Sequence, residues 1–86
     1  MKLTEIRKLQ IEYGFDKMQN IIDTGAVWLM EGSMGREAMH LLEVGACFLP
    51  NKQRRGYYGD VIPSRSELQN GSKGTILNTI RFYEQR

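Results

Sequence analysis

The chain has 86 residues, 41 % of them hydrophobic, 9 % aromatic and 26 % charged. That length excludes two lobes around a cleft, and the composition excludes the low-hydrophobicity, high-charge pattern of disorder, leaving one small domain with a thin core. Residues 1–50 carry five Lys/Arg against seven Asp/Glu, and residues 51–86 seven against three, so a formal net charge of +2 hides an uneven distribution that points to an anionic ligand or an acidic protein surface.

Thr4 is placed to cap a first helix with Ile6, Leu9 and Tyr13 on one face and Gly14 at its end. Asp16, with Gln19 three residues on, reads as a capping box for a second helix whose stripe of Met18, Ile21 and Ile22 is closed by Gly25. The apolar run Ala26–Met30 suits a buried strand or the crossing into a third helix. Ser33 is placed to cap that helix, with Met34, Ala38, Leu41 and Leu42 inward, Arg36, His40 and Glu43 outward, and Gly45 at its end. Ala46–Leu49 before Pro50 resembles a short strand ended by proline, which cannot donate to a continuing ladder.

From Asn51 the texture becomes turn-rich. Tyr57-Tyr58 and Val61-Ile62 flank Gly59-Asp60 in a kinked strand or a tight turn, and strand alternation would send one of the two tyrosines into the core. Pro63–Ser66 and Asn70–Gly74 are turns by composition. Ile76, Leu77, Ile80 and Tyr83 fit a helical stripe better than strand alternation, although their β-branched content favours a strand. The predicted fold is α+β in a single compact domain over residues 1–86: about three N-terminal helices in residues 1–50, then a basic, turn-rich section with short strands over 51–86.

Cys47 is the one cysteine, so no intramolecular disulfide forms, and a small secreted domain would ordinarily need one. The N-terminus lacks an apolar core of signal-peptide length and nothing approaches a membrane span, so a cytoplasmic protein without membrane attachment is expected. Catalytic chemistry finds no support in the residue pattern. His40 falls on the exposed face of its helix while Cys47 sits among Ala46, Phe48 and Leu49, so a Cys–His dyad is not expected. No metal shell and no cofactor motif is evident, and no catalytic residue is assigned.

Anion recognition has three candidate seats. Gly32–Arg36 opens a helix and offers amides, a dipole end and the Arg36 charge, although such starts are usually plain capping. Gly71–Thr75, with Lys73, has the composition of a phosphate nest but lacks the nucleotide-binding P-loop spacing, so a turn in which Gly71 and Gly74 supply positive φ explains it better. Arg54-Arg55-Gly56-Tyr57-Tyr58-Gly59 interleaves cations with rings, the combination that grips a nucleic-acid backbone while bases stack, and also one that protein interfaces favour.

Glu31-Gly32-Ser33, Gly35-Arg36 with Ala38-Met39, Tyr57-Tyr58-Gly59, Ile62–Arg65 and Gly71–Gly74 together resemble a group of small accessory proteins carried by bacteriophages and prophages, over roughly residues 20–75. The resemblance implies a non-enzymatic protein that binds and modulates a host or defence-system protein. The expected contact residues are Arg36, Arg54, Arg55, Tyr57, Tyr58, Arg65 and Lys73, with direct nucleic-acid or nucleotide binding by the same residues as the alternative. Self-association is a further expectation, because Trp28, Met30, Met34 and Met39 exceed what short helices can cover.

Overall fold

Glycines closing three amphipathic stripes divide the first half into helices, as their spacing predicts. In the computed structural model, which describes residues 1–85, these are α1 (Leu3–Tyr13), α2 (Asp16–Thr24) and α3 (Gly32–Val44). Each is followed by a left-handed glycine, Gly14, Gly25 and Gly45. The last segment is also a helix, α4 (Ile76–Glu84), and the Thr75 hydroxyl accepts the Asn78 backbone N–H at 3.4 Å as its cap. Two two-residue strands, β1 (Arg54–Arg55) and β2 (Val61–Ile62), pair antiparallel with Arg54 opposite Ile62 and Arg55 opposite Val61. The fold is a helix-rich α+β domain.

The helix starts differ from those predicted. Lys2, not Thr4, precedes α1, and its N–H donates to the Glu5 carboxylate at 3.1 Å. Glu31, not Ser33, precedes α3, and the Ser33 hydroxyl donates back to the Glu31 carboxylate at 2.9 Å. Phe15 precedes α2, and the Asp16–Gln19 box does not form because Gln19 turns inward and is 1 % exposed. Ala26–Leu29 is a 3₁₀ turn rather than a strand, crossing from α2 to α3.

The segment Ala46–Leu49 belongs to neither helix nor strand, yet all four residues are buried. Its side chains still alternate. Cys47 and Leu49 join Met18, Ile22, Val27, Ala38 and Leu42 in one cluster, while Phe48 joins Ile6 and Tyr83 in the other. Buried backbone without a neighbouring strand must find partners elsewhere, since an orphaned polar group costs about 1–3 kcal/mol. Here side chains supply them. Ala46 O accepts from Gln10 Nε2 at 3.1 Å and from the Tyr83 hydroxyl at 2.7 Å, and Cys47 O from the Thr79 hydroxyl at 3.3 Å. The Gln19 amide faces Phe48 as a strand would, accepting its N–H at 3.0 Å and donating to its C=O at 2.9 Å. Leu49 N–H donates to Gly74 O at 2.9 Å, and Arg65 donates to Leu49 O at 3.1 Å.

Gln19 uses both polar atoms twice, for its Oε1 also accepts from Gln10 Nε2 at 2.8 Å and its Nε2 donates to Asp23 Oδ1 at 2.8 Å. Asp23 in turn pairs with Arg7 at 3.2 Å, tying α1 to α2. Gly45 lets α3 end against α4. With φ at 100°, any Cβ there would be strained and would lie 2.7 Å from Asn78 O. The Asn78 amide donates to Leu42 O at 3.1 Å and Glu43 O at 3.4 Å, satisfying carbonyls at the end of α3.

Gln19→Ala should therefore cost about 2–4 kcal/mol, because it leaves both polar groups of Phe48 buried and unpartnered, whereas Lys17→Ala on the exposed face of α2 should change stability by less than about 0.5 kcal/mol. Urea denaturation of the three proteins reads the difference; equal midpoints for Gln19→Ala and the parent chain would refute the assigned role.

Candidate functional site

The structure separates the seven sequence-predicted contact residues into three settings. Arg54 and Arg65 are internal anchors. The Arg54 guanidinium donates to Asp23 O at the end of α2, its stem lies against Gly25, and its Nε is buried without a partner. The Arg65 guanidinium donates to Leu49 O and stands 5.8 Å from the centre of the Phe48 ring. Both charges are spent on holding the second half to the first, so neither is free to lead a surface as the sequence suggested.

Tyr57, Tyr58 and Arg55 form the second setting, at the hairpin between β1 and β2. The tip closes as a tight turn, with Gly56 N–H donating to Asp60 O at 2.8 Å and Gly59 N–H to Gly56 O at 3.0 Å. Strand alternation therefore stops before the tyrosines. Neither enters the core: Tyr57 is 73 % and Tyr58 92 % exposed, and their rings meet edge-on at 5.1 Å. Arg55 folds back over the tip and donates to Gly59 O at 3.1 Å. A bond from Tyr57 N–H to Trp28 O at 3.2 Å pins this hairpin to the 3₁₀ turn.

Arg36 and Lys73 form the third setting, each lining a depression that Trp28 and Ile62 also wall. Arg36 is exposed on α3 with its guanidinium over Gly32, and Lys73 is exposed in the turn before α4. The two remaining candidate anion seats are built differently. At Gly32–Arg36 Glu31 brings a negative charge beside the helix start without hydrogen-bonding its first amides, and accepts the Ser33 hydroxyl instead. At Gly71–Thr75, Ser72 N–H and hydroxyl both bond Gln69 O, and Thr75 N–H and hydroxyl both bond Ser72 O, as in an ordinary turn.

A groove of about 640 Å³ lies between the hairpin tip and the 3₁₀ turn, with Trp28, Leu29, Met30, Glu31, Tyr57, Tyr58 and Asp60 among its walls. Its charged wall residues are both acids, and among the described residues no lysine or arginine lines it. Trp28 and Ile62 also wall a second, more apolar cavity of about 330 Å³ that reaches Leu68 and Lys73. Leu29 (60 % exposed) and Met30 (44 %) add apolar surface to the groove, and Met39 on α3 and Val61 on β2 are 40 % and 49 % exposed. Sequence reasoning named the methionines as surplus bulk but missed Leu29, Val61 and the two acids. The acids gave no signal because scattered carboxylates mean nothing until a fold gathers them.

Cys47 and His40 lie in different environments. Cys47 is fully buried, and burial foremost, with the Asp23 charge second, pushes its thiol from 9.0 up to about 12. His40 is exposed on α3. Among the described residues no group of His, Cys, Asp and Glu could hold a metal ion, and no helix is long and apolar enough to cross a membrane. Comparison with known proteins finds no matching family model, no matching curated protein and no matching solved structure.

Two measurements check these environments. A maleimide or disulfide reagent should label Cys47 only after denaturation, since the reactive thiolate is suppressed and inaccessible; rapid labelling of the native protein would contradict the assignment. Glu67 is held below the usual 4.5 by the Ser64 backbone N–H, then by the Gln53 amide and the Ser64 hydroxyl. A lowered folded pKa means its stabilisation is present above the unfolded value and lost as pH falls through the folded one. Glu67→Gln should thus flatten part of the loss of stability between about pH 5 and pH 3, read from urea midpoints.

Proposed function

We propose that the protein is a non-enzymatic binding module that docks on another protein through the Tyr57-Tyr58 hairpin tip and the apolar surface beside it. The observation that carries this reading is the pair of adjacent tyrosines, 73 % and 92 % exposed on a turn whose backbone is bonded to the 3₁₀ turn. A fixed loop presents rings without losing much conformational freedom on binding, and interface cores favour tyrosine, tryptophan and methionine. In line with the resemblance to phage and prophage accessory proteins, the partner is a protein of the host or of its defence systems.

Nucleic-acid binding by this face is the weaker reading. A grip on phosphates needs free cations, whereas Arg54 and Arg65 are engaged internally and Glu31 and Asp60 flank the rings. An enzymatic reading that uses Cys47 as nucleophile is disfavoured, because its thiol is buried and held protonated.

The protein immobilised as bait should capture the same partner with and without nuclease treatment. A Tyr57→Ala/Tyr58→Ala variant should keep its denaturation midpoint within about 0.5 kcal/mol and lose the partner. Capture that vanishes with nuclease, or binding to random DNA or RNA whose log affinity falls steeply with log salt, would overturn protein docking in favour of nucleic acid.

A further inference from the structure

We infer that the groove beneath the hairpin tip receives a lysine or arginine side chain presented by the partner protein, an inference that rests on the protein-docking reading above. Three rings, Trp28, Tyr57 and Tyr58, and two carboxylates, Glu31 and Asp60, share its walls, and among the described residues no cation of the chain lines it. Aromatic faces attract a cation within about 6 Å of the ring centre, and carboxylates add directed acceptors. Apolar Leu29 and Met30 offer surface for the methylene stem of such a side chain.

Among the described residues neither acid of the groove is part of an ion pair. The Asp60 carboxylate lies against Gly56, where any Cβ would collide with it, so the glycine keeps the acid at the base of the tip. Glu31 is oriented by the Ser33 hydroxyl at 2.9 Å. The ion pair among the described residues is Arg7–Asp23, which includes neither of them. The positive end of α3 contributes roughly half a charge, less than the Glu31 carboxylate beside it. Arg36 lines the adjoining depression together with Asp60 and Glu43, its guanidinium over Gly32, and forms no ion pair with Glu31 or Asp60.

Charge complementarity selects the occupant. An apolar side chain seated here would desolvate two carboxylates with nothing in return, and a phosphate or acidic side chain would meet like charge. A cation satisfies rings and carboxylates together. The hot contact of the interface is then a basic residue of the partner, reversing the polarity that the overall charge of the second half suggests.

Trp28, the single tryptophan, reports directly on the groove. At low salt, acetyl-Leu-Arg-Leu-amide should change its fluorescence saturably, with a dissociation constant on the order of millimolar, as expected for so small a ligand. Glu31→Gln/Asp60→Asn should weaken that binding by about fivefold and Tyr58→Ala by roughly two- to fivefold, while Lys73→Ala leaves it unchanged. Thermal melts of each variant verify that the fold is intact. A flat titration, an equal response to acetyl-Leu-Glu-Leu-amide, or sedimentation showing the groove closed by a second copy would overturn the inference. If the arginine peptide is silent while the tyrosine variant still loses the captured partner, only the cation assignment falls; if that variant keeps its partner, the docking reading falls whatever the peptides do.

Discussion

The buried stretch Ala46–Leu49, threaded between two apolar clusters without a strand beside it, is the constraint on which the rest of the molecule depends. Its buried carbonyls need partners, and Gln10 from α1, Gln19 from α2, Thr79 and Tyr83 from α4, and Arg65 from the turn-rich section supply them. One irregular segment thus fixes the positions of α1, α2, α4 and the turn around Arg65. In so small a domain, where burial is limited, this polar scaffold specifies geometry that apolar packing alone would leave loose.

The arginines of the second half illustrate how charge in a sequence differs from charge on a surface. Arg54 and Arg65 are half-buried struts between the turn-rich section and the helices, and Phe48 lies near two guanidiniums, Arg7 at 5.3 Å and Arg65 at 5.8 Å. Polar satisfaction is uneven in an informative way. The segment at the centre is well bonded, whereas the buried donors left without partners, Trp28 Nε1 and Arg54 Nε, both border the hairpin and the 3₁₀ turn.

Helices were legible in the sequence wherever an apolar stripe ended in glycine, and the stripe of Ile76, Leu77, Ile80 and Tyr83 outweighed the β-branched content of α4. The caps were not legible, because Thr4, Asp16 and Ser33 each stand one or two residues inside the helices they were expected to begin, and a short polar side chain marks a helix start only loosely. Ala46–Leu49 reads as a strand for a sound reason: its side chains do alternate between two clusters. What the pattern could not reveal is that glutamine and threonine side chains replace the neighbouring strand. Tyr57 and Tyr58 were recognisable as candidate contact residues, yet the expectation that one is buried failed because the chain turns at Gly56 instead of continuing as a strand. The acidic wall of the groove was invisible, since Glu31 and Asp60 lie far apart in the chain and meet only when the hairpin docks on the 3₁₀ turn.

Amide hydrogen exchange, residue by residue, tests most directly whether a side-chain-bonded central segment organises the whole molecule. The Phe48 amide, bonded only to the Gln19 side chain, and the Leu49 amide should exchange solely through global unfolding, with protection equal to that of the middle of α3. Exchange of Phe48 as fast as that of the exposed Tyr58 amide would show that the segment opens on its own and would contradict the account.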